Sequence, residues 1–250
     1  MLADRYRIDE LLGTGGMADV YRAWDTRLHR SVAVKVFRQQ ADDTARSRFG
    51  KEVRTLATLA HPGLVSVYDA DITQQPPFAV LQLIEGQTLS ARISDGPLPA
   101  DEVRAIGAQV ADALDYVHAN GVVHRDVKPS NMLIDADGTV YLSDFGLAQL
   151  AGATRLTKAD MLVGTAAYLA PEQVRGQDVA GQADIYALGL VLLECLTGQR
   201  EYPGNEIETA VARLHRPPTI PDDLPPDLHR ITGADDVSDA TPPPDRAAVR

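Results

Sequence analysis

Two short polar segments joined by a hairpin most constrain how this chain can fold. Residues 124–131 read HRDVKPSN, and thirteen residues after Asn131 the sequence reads Asp-Phe-Gly from Asp144. Between the segments, apolar runs flank an Asp-Gly pair at 137–138, which is typical of a tight hairpin turn. Such a hairpin places the two segments on neighbouring loops. The fold is therefore expected to bring Asp126, Asn131 and Asp144 together.

The side chains of these segments suit the transfer of a nucleotide phosphoryl group. Asp126 can accept a proton from a hydroxyl group, and Lys128 can neutralise charge on the moving phosphoryl group. Asn131 and Asp144 offer the oxygen ligands that Mg²⁺ prefers, and Mg²⁺ needs few protein ligands beside phosphate and water oxygens. A lone loop aspartate is ordinarily a turn residue, but the accompanying polar residues at these intervals make that interpretation hard to maintain.

Three further segments repeat the pattern of a known family. Residues 13–20 read GTGGMADV, residues 32–35 read VAVK, and residues 164–172 read GTAAYLAPE. From about residue 6 to residue 215, the chain resembles the catalytic domain of bacterial, eukaryotic-like (Hanks-type) serine/threonine protein kinases. It departs from the pattern at Ala18, which stands in place of a third glycine.

The resemblance implies an α+β, bilobal protein-kinase-like fold. We expect a small β-rich N-lobe with one helix over residues 1–84 and a larger, mostly helical C-lobe over residues 85–231. An acidic, proline-rich tail over residues 232–250 should be disordered or loosely docked. Residues 217–250 hold eight of the sixteen prolines, and such a segment cannot bury enough apolar surface to offset its ordering entropy.

Apolar periodicity predicts four main helices. They cover residues 44–60, 100–120, 184–197 and 206–215, and the third is apolar almost all round, so it should be a central buried helix. The buried stripe of the second helix consists of Val103, Ile106, Val110, Leu114 and Val117. The residues expected to face inward on the last helix are Ile207, Val211 and Leu214.

The resemblance places a nucleotide between the lobes. Glycines let backbone N–H groups approach phosphate oxygens, although a glycine-rich turn also occurs in plain hairpins. Lys35 would hold the α- and β-phosphates and pair with Glu52; the alternative is a solvated lysine that protects a strand edge. Leu81 would close the back of an apolar adenine pocket beside the hinge. The residues implied to contact ATP are Leu12, Gly13, Thr14, Gly15, Gly16, Val20, Ala33, Lys35, Leu81, Gln82, Ile84 and Leu133.

Regulation by phosphorylation is implied by Arg125, next to the catalytic Asp126. A phosphothreonine in the segment 147–171 can pair with guanidinium groups and so order that segment. Thr157 is the candidate acceptor and Thr154 is a second one. The alternative for each is an ordinary solvated side chain.

Three more residues are implied to support the site. Thr165 would contact Asp126 and Lys128 and shape the floor of the substrate site. Asp184 would bind the backbone of the catalytic loop, because a buried carboxylate without such partners is costly. Glu172 would pair with an arginine from the end of the C-lobe.

The activity that the resemblance implies is transfer of the ATP γ-phosphoryl group to protein Ser or Thr hydroxyls, including autophosphorylation. Lys128, two residues after Asp126, is typical of Ser/Thr rather than Tyr kinases. The implied cofactors are ATP and Mg²⁺, with Mn²⁺ as an alternative. The implied partners are protein substrates and a second kinase molecule, as in a dimer.

Two other functions stay open. One is a nucleotide-binding but catalytically weak or silent scaffold, because no apolar helix follows residue 231 in the sequence. We then expect one side of the helix 184–197 to be under-covered, which would lower stability. The other is a small-molecule phosphotransferase, against which the segment 164–172 speaks.

Charge and composition bound the partners and the compartment. The formal net charge of −11 disfavours binding to nucleic acid or anionic lipid. A single cysteine, Cys195, excludes an internal disulfide and fits a reducing compartment. The amino terminus lacks a hydrophobic signal core, and the longest apolar stretch, 185–195, is too short to span a bilayer. We therefore expect a cytoplasmic protein without a membrane segment.

Overall fold

An antiparallel five-stranded sheet forms the amino-terminal lobe. The computed structural model describes residues 1–15, 18–38, 53, 55–71, 73–144 and 166–228. The sheet order is β1-β2-β3-β5-β4. Its strands are β1 (Tyr6–Thr14), β2 (Ala18–Asp25), β3 (Arg30–Phe37), β4 (Val67–Asp71) and β5 (Phe78–Leu81).

Alternation along these strands sorts their side chains onto two faces, because successive side chains of a strand point to opposite sides. On β3, Val32 and Val34 join a small cluster with Tyr6 and Phe78. Ala33, between the two valines, joins the main core instead. The face that carries Ala33 is thus directed at the rest of the molecule.

The second lobe is mostly helical, as the resemblance implies. A three-stranded antiparallel sheet, in the order β6-β7-β8, connects it to the first lobe. The strands are β6 (Gly86–Thr88), β7 (Met132–Asp135) and β8 (Val140–Leu142). The helices are α1 (Leu89–Ser94), α2 (Ala100–Ala119), α3 (Pro171–Val174), α4 (Gly181–Thr197) and α5 (Glu206–His215), with 3₁₀ turns at Pro129–Asn131 and Ala166–Tyr168.

The hairpin predicted at 137–138 is present. Strands β7 and β8 pair in register from Met132↔Leu142 to Ile134↔Val140. Gly138 has φ of +79°, a conformation that costs a glycine little and other residues more. This turn sends the chain back so that residues after β8 lie beside residues before β7.

Close packing of α2 against α4 forms the centre of the second lobe. The predicted stripe of α2 is buried. A Cβ on Gly107 would lie 3.1 Å from Cδ1 of Leu192, so the absence of a side chain there lets the two helices approach. The described part of the helix predicted over 44–60 is helical at Val53 and at 55–57.

Two expectations about the helices are wrong. On α4 the apolar side chains are buried or half-buried except Ile185, which is 52% exposed, so this helix is not under-covered along one side. On α5 the buried residues are Thr209 and Arg213, whereas Ile207 and Val211 are 77% and 46% exposed. Leu214 is half-buried.

Among the described residues, no helix combines the length and the hydrophobicity that crossing a membrane requires. The bilobal α+β architecture is confirmed. The lobe boundaries at 84 and 231 stay predictions, and the tail 232–250 lies outside the described residues.

The packing of α4 gives a stability prediction. Leu192→Ala should lower the free energy of unfolding by about 2–5 kcal/mol, because Leu192 is fully buried against α2 and truncation leaves a cavity. Ile185→Ala, on the exposed side of the same helix, should cost less than about 1 kcal/mol. Urea denaturation followed by circular dichroism measures both. Equal losses in the two variants would contradict this packing.

Candidate active site

A buried carboxylate on α4 organises the loop that follows α2. Asp184 Oδ2 accepts the backbone N–H of His124 at 2.8 Å, and Oδ1 accepts that of Arg125 at 2.7 Å. The His118 ring lies 2.8 Å from Oδ2 through Nε2. Arg125 has φ of +66°, a strained conformation for a residue with a side chain. The Asp184 carboxylate therefore holds the loop in a shape it would not adopt alone.

The imidazole of His124 joins the two polar segments. Its Nε2 donates to the carbonyl of Ser143 at 2.9 Å, and its Nδ1 accepts the N–H of Asp126 at 3.2 Å. Ser143 in turn donates its N–H to the carbonyl of Asn131 at 2.8 Å. Burial lowers the pKa of His124, so the ring is neutral and keeps both roles. The spacing between the two loops is fixed by these bonds.

One carboxylate oxygen of Asp126 is held by hydrogen bonds, and the other has no partner among the described residues. Its Oδ2 accepts Nδ2 of Asn131 at 3.0 Å and lies 2.9 Å from Nζ of Lys128. Asn131 Nδ2 also donates to the backbone carbonyl of Asp126 at 2.8 Å. Oδ1 is buried and has no hydrogen-bond partner among the described residues. A buried carboxylate oxygen without a donor is costly, and a substrate hydroxyl is a donor of the right kind.

Lys35 and Asp144 form an ion pair across the lobes. Lys35 Nζ lies 2.6 Å from Oδ1 of Asp144. Burial alone would raise the pKa of Asp144, but the charges of Lys35 and Lys128 outweigh it and leave the pKa lowered. Asp144 has φ of +62°, so its backbone is strained like that of Arg125. The carboxylate is thus held ionised at the end of the hairpin.

Four apolar side chains implied to surround the adenine ring lie on β2, β3, β5 and β7. Ala33 and Leu81 face each other in register on β3 and β5 and are buried. Val20 and Leu133 are half-buried and pack against the same core. Flat apolar walls with a few backbone polar groups suit a purine.

The hinge, residues 82–84, directly follows β5 and its buried Leu81. The N–H of Gln82 donates to the carbonyl of Ser66 at 2.9 Å, so the carbonyl oxygen is the group that Gln82 has left for a ligand. Ile84 packs half-buried against the core. This hydrogen bond fixes the start of the hinge to Ser66, the residue before β4.

The glycine-rich turn between β1 and β2 is partly described. Gly13 and Thr14 end β1, and the N–H of Gly15 donates to the carbonyl of Ala18 at 2.9 Å. A Cβ on Gly13 would meet no atom within 4 Å, so open space lies above it. Leu12 is exposed.

Several predicted site residues lie outside the described residues. They are Gly16, Glu52, Thr154, Thr157 and Thr165. The proposed Lys35–Glu52 pair is therefore still a prediction. Glu172 lies half-buried in α3, and no ion pair joins it to another described residue.

The sequence analysis missed three side chains, Arg213, Tyr168 and Glu194, that hold the segment 166–169 in place. This segment lies next to Asp126. Arg213 on α5 donates to the carbonyls of Ala166 and Leu169. The Tyr168 hydroxyl donates to Glu194 Oε2 at 2.5 Å, and burial raises the pKa values of both groups. A charge inside the otherwise apolar run 185–195 was the available signal for Glu194. No periodicity signal marks Arg213.

Gln173 links the end of this segment, at Ala170, to Arg125 of the catalytic loop. Its Nε2 donates to the carbonyl of Arg125 at 3.3 Å, and its Oε1 accepts the N–H of Ala170 at 2.8 Å. A recess next to Asp126 is lined on the other side by Tyr168 and Leu169. The site thus has a carboxylate oxygen without a hydrogen-bond partner among the described residues and, beside it, a void with room for about one water molecule.

The buried imidazole gives a pH prediction. The pKa of His124 is lowered in the folded chain, whereas a histidine in the unfolded chain has a pKa near 6.5. Below that pH the unfolded chain therefore binds more protons at His124 than the folded chain does. Stability should therefore fall as pH drops from about 7 to 5. The slope of the unfolding free energy against pH reports how many more protons the unfolded chain binds. His124→Gln should reduce this slope by the equivalent of up to one proton. His215→Gln, at an exposed position, should leave the slope unchanged.

Urea denaturation at pH 5, 6 and 7 measures these slopes. The same slope in wild type and His124→Gln would contradict the prediction, because it would show that the pKa of this imidazole is the same in the folded and unfolded states.

Comparison with known proteins agrees with this geometry. A protein kinase domain model matches residues 6–231. Serine/threonine-protein kinase PknB of Mycobacterium leprae is 42% identical over 88% of this chain and 37% of that protein. Serine/threonine-protein kinase PknA of Mycobacterium tuberculosis is 40% identical over 92% of this chain and 56% of that protein.

A solved structure is also similar. The kinase domain of Mycobacterium tuberculosis PknI matches with a TM-score of 0.66 and 32% identity, over 80% of this chain and 77% of that chain. The chain spans less than two thirds of the length of the PknB and PknA relatives. The family model, the identities and the arrangement of Lys35, Asp126, Asn131 and Asp144 lead to one conclusion: the chain belongs to the protein kinase domain family.

Proposed function

We propose that this protein transfers the γ-phosphoryl group of ATP to Ser or Thr hydroxyls of proteins. The observation that carries the proposal is the state of Asp126, whose Oδ2 is held by Asn131 and Lys128 while Oδ1 has no partner among the described residues. An acceptor hydroxyl can donate to Oδ1 and lose its proton there in the transfer step. The relatives PknB and PknA are named serine/threonine-protein kinases, which supports the choice of acceptor.

The metal-binding candidates fit a hard divalent cation. The NH₂ group of Asn131 is committed to Asp126, so its carbonyl oxygen is the atom left for a ligand. Asp144 supplies an ionised carboxylate. Oxygen donors of this kind suit Mg²⁺, with Mn²⁺ as the alternative. When bound, the cation would neutralise phosphate charge, and Asn131 and Asp144 are the residues that would hold it.

The protein's own side chains supply positioning and charge. Lys35 is held by Asp144, so its ammonium lies beside the carboxylate that we propose binds the cation. Lys128 lies against Asp126, so a positive charge is in place beside the hydroxyl that attacks. Because phosphoryl transfer has a loose transition state, such pre-set charges and positions account for most of the acceleration.

The proposal extends to partners and compartment. Protein substrates, ATP and a second kinase molecule are the partners we propose, and the cytoplasm is the proposed compartment. The small-molecule phosphotransferase is the less favoured alternative, because the matched relatives carry protein kinase names.

A phosphate-transfer assay tests the activity. With labelled ATP, Mg²⁺ and a generic protein substrate, wild type should incorporate phosphate. Asp126→Asn should lower the rate by roughly 100-fold or more, because the open proton acceptor is lost. Asp144→Asn should do the same and also weaken Mg-ATP binding. Asp137→Asn, the same substitution in the exposed hairpin turn, should behave like wild type.

Nucleotide binding measured in parallel separates this function from its rival. A wild-type protein that binds Mg-ATP yet labels no hydroxyl at saturating nucleotide would identify a silent scaffold.

We also propose that activity is raised by phosphorylation of Thr157. Arg125 is exposed beside Asp126, and a phosphothreonine brings about −1.5 to −2 charge that a guanidinium can bind. Mass spectrometry of wild type incubated with Mg-ATP should find phosphate on Thr157, and none in Asp126→Asn. Thr157→Ala should lower transfer to a protein substrate more than Thr154→Ala does. Phosphate confined to other residues would count against Thr157.

A further inference from the structure

An ion pair that the proposed chemistry does not use joins the two sheets of the molecule. Arg22 lies on β2 of the five-stranded sheet, and Glu85 directly precedes β6 of the three-stranded sheet. Nη1 of the guanidinium donates to Oε1 of the carboxylate at 2.7 Å, and Nη2 donates to Oε2 at 2.8 Å. These hydrogen bonds lower the pKa of Glu85, so its carboxylate is ionised at neutral pH. Two parallel bonds fix the direction of the contact as well as its length.

The register of the five-stranded sheet places Arg22 on the face that carries the implied nucleotide contacts. Arg22 pairs with Ala33 on β3, and Ala33 pairs with Leu81 on β5. Residues that pair across antiparallel strands lie on the same face. Arg22 therefore shares a row with two of the side chains implied to surround the adenine ring. The next row of this face contains Val20 and Lys35.

Two ion pairs thus extend from this face to the second lobe. Lys35 reaches Asp144. Arg22, in the adjacent row, reaches Glu85. Adjacent rows are about 7 Å apart, the rise of two strand residues. Because Glu85 directly follows the hinge, its pair with Arg22 lies on the hinge side of the proposed nucleotide site, whereas Lys35 marks the phosphate side.

Both ends of the Arg22–Glu85 pair are supported by regular structure. Arg22 lies on a strand with a neighbour on each side, β1 and β3. Glu85 is followed by Gly86, the first residue of β6, and a Cβ on Gly86 would collide with the carbonyl oxygen of Ile134 on β7. The backbone beside Glu85 is therefore packed directly against β7. A bidentate contact between two such supports restricts how far the supports can separate.

We propose that this inter-lobe ion pair resists separation of the two lobes on the hinge side and so slows release of the bound nucleotide. The side chains are 30% exposed for Arg22 and 68% exposed for Glu85, so water and salt ions reach the pair. An exposed pair of this kind changes a rate severalfold and does not decide whether the nucleotide binds. The inference rests on the nucleotide binding that the proposed function requires.

Stopped-flow release of a fluorescent ADP from the full chain tests this role. The fluorophore is attached to the terminal phosphate, away from the hinge, and excess Mg-ATP displaces the labelled nucleotide. Arg22→Gln and Glu85→Gln should each speed release about threefold to fivefold. Raising the salt concentration from about 0.05 M to about 0.5 M should speed release more in wild type than in Arg22→Gln, because the variant has lost the pair that salt screens.

The double variant distinguishes an ion pair from a direct contact between Glu85 and the nucleotide. If Arg22 and Glu85 act only through each other, the double variant should release nucleotide at the same rate as each single variant. A double variant whose acceleration equals the product of the two single effects would show that each side chain acts separately. That result would overturn the proposal.

Arg92→Gln is the matched control. Arg92 on α1 also donates two hydrogen bonds to a glutamate, Glu102 on α2, at 3.1 and 3.0 Å, and its side chain is 27% exposed. Both residues of this pair belong to the second lobe, so nucleotide release should keep its wild-type rate. The same acceleration in Arg92→Gln would assign the effect to the loss of any surface ion pair and contradict a role specific to Arg22.

The outcomes distinguish this inference from the proposed function. Wild type that binds no labelled nucleotide would refute both. Wild type that binds the nucleotide but transfers no phosphate would refute the transfer function, and faster release in both single variants would still support the inter-lobe role. Equal release rates in wild type and Arg22→Gln, in a protein that transfers phosphate, would refute the inter-lobe role alone.

Discussion

The carboxylate of Asp184 is the interaction on which the site depends. It lies in α4, a helix with apolar residues on most of its surface, where a charge without partners would be costly. Three N–H donors, from His118, His124 and Arg125, surround it. The same bonds force a positive φ on Arg125. The core helix thus dictates the backbone of a loop that would otherwise be free to relax.

From this anchor, hydrogen bonds continue to the groups of the proposed reaction, which lie at the ends of the β7–β8 hairpin. His124 ties the loop to Ser143, and Ser143 ties it to Asn131. Asp126 and Asp144 are therefore fixed with respect to each other although the hairpin separates them in sequence. Their charges are balanced by Lys128 and Lys35.

The sequence predicted what depends on local spacing. The intervals around Asp126 and the turn at 137–138 predicted the convergence with Asp144, and the stripe of α2 predicted its buried face. The predicted inner face of α5 was wrong, because apolar periodicity takes no account of an arginine that donates hydrogen bonds to backbone carbonyls. The side chains Ile207 and Val211 are exposed for that reason: the inner face is taken by Arg213. The predicted cover of α4 was also wrong, because that cover depends on contacts distant in sequence.

Two buried charges of opposite sign therefore define the two sides of the recess next to Asp126. Asp184 accepts N–H groups of the catalytic loop, and Arg213 donates to carbonyls of the facing segment. Each replaces the water that irregular backbone would otherwise need. Loops bind substrates because their backbone is not tied up in a sheet or helix, and the same freedom makes them imprecise. Charged anchors on α4 and α5 give these loops the fixed positions that the proposed phosphoryl transfer demands.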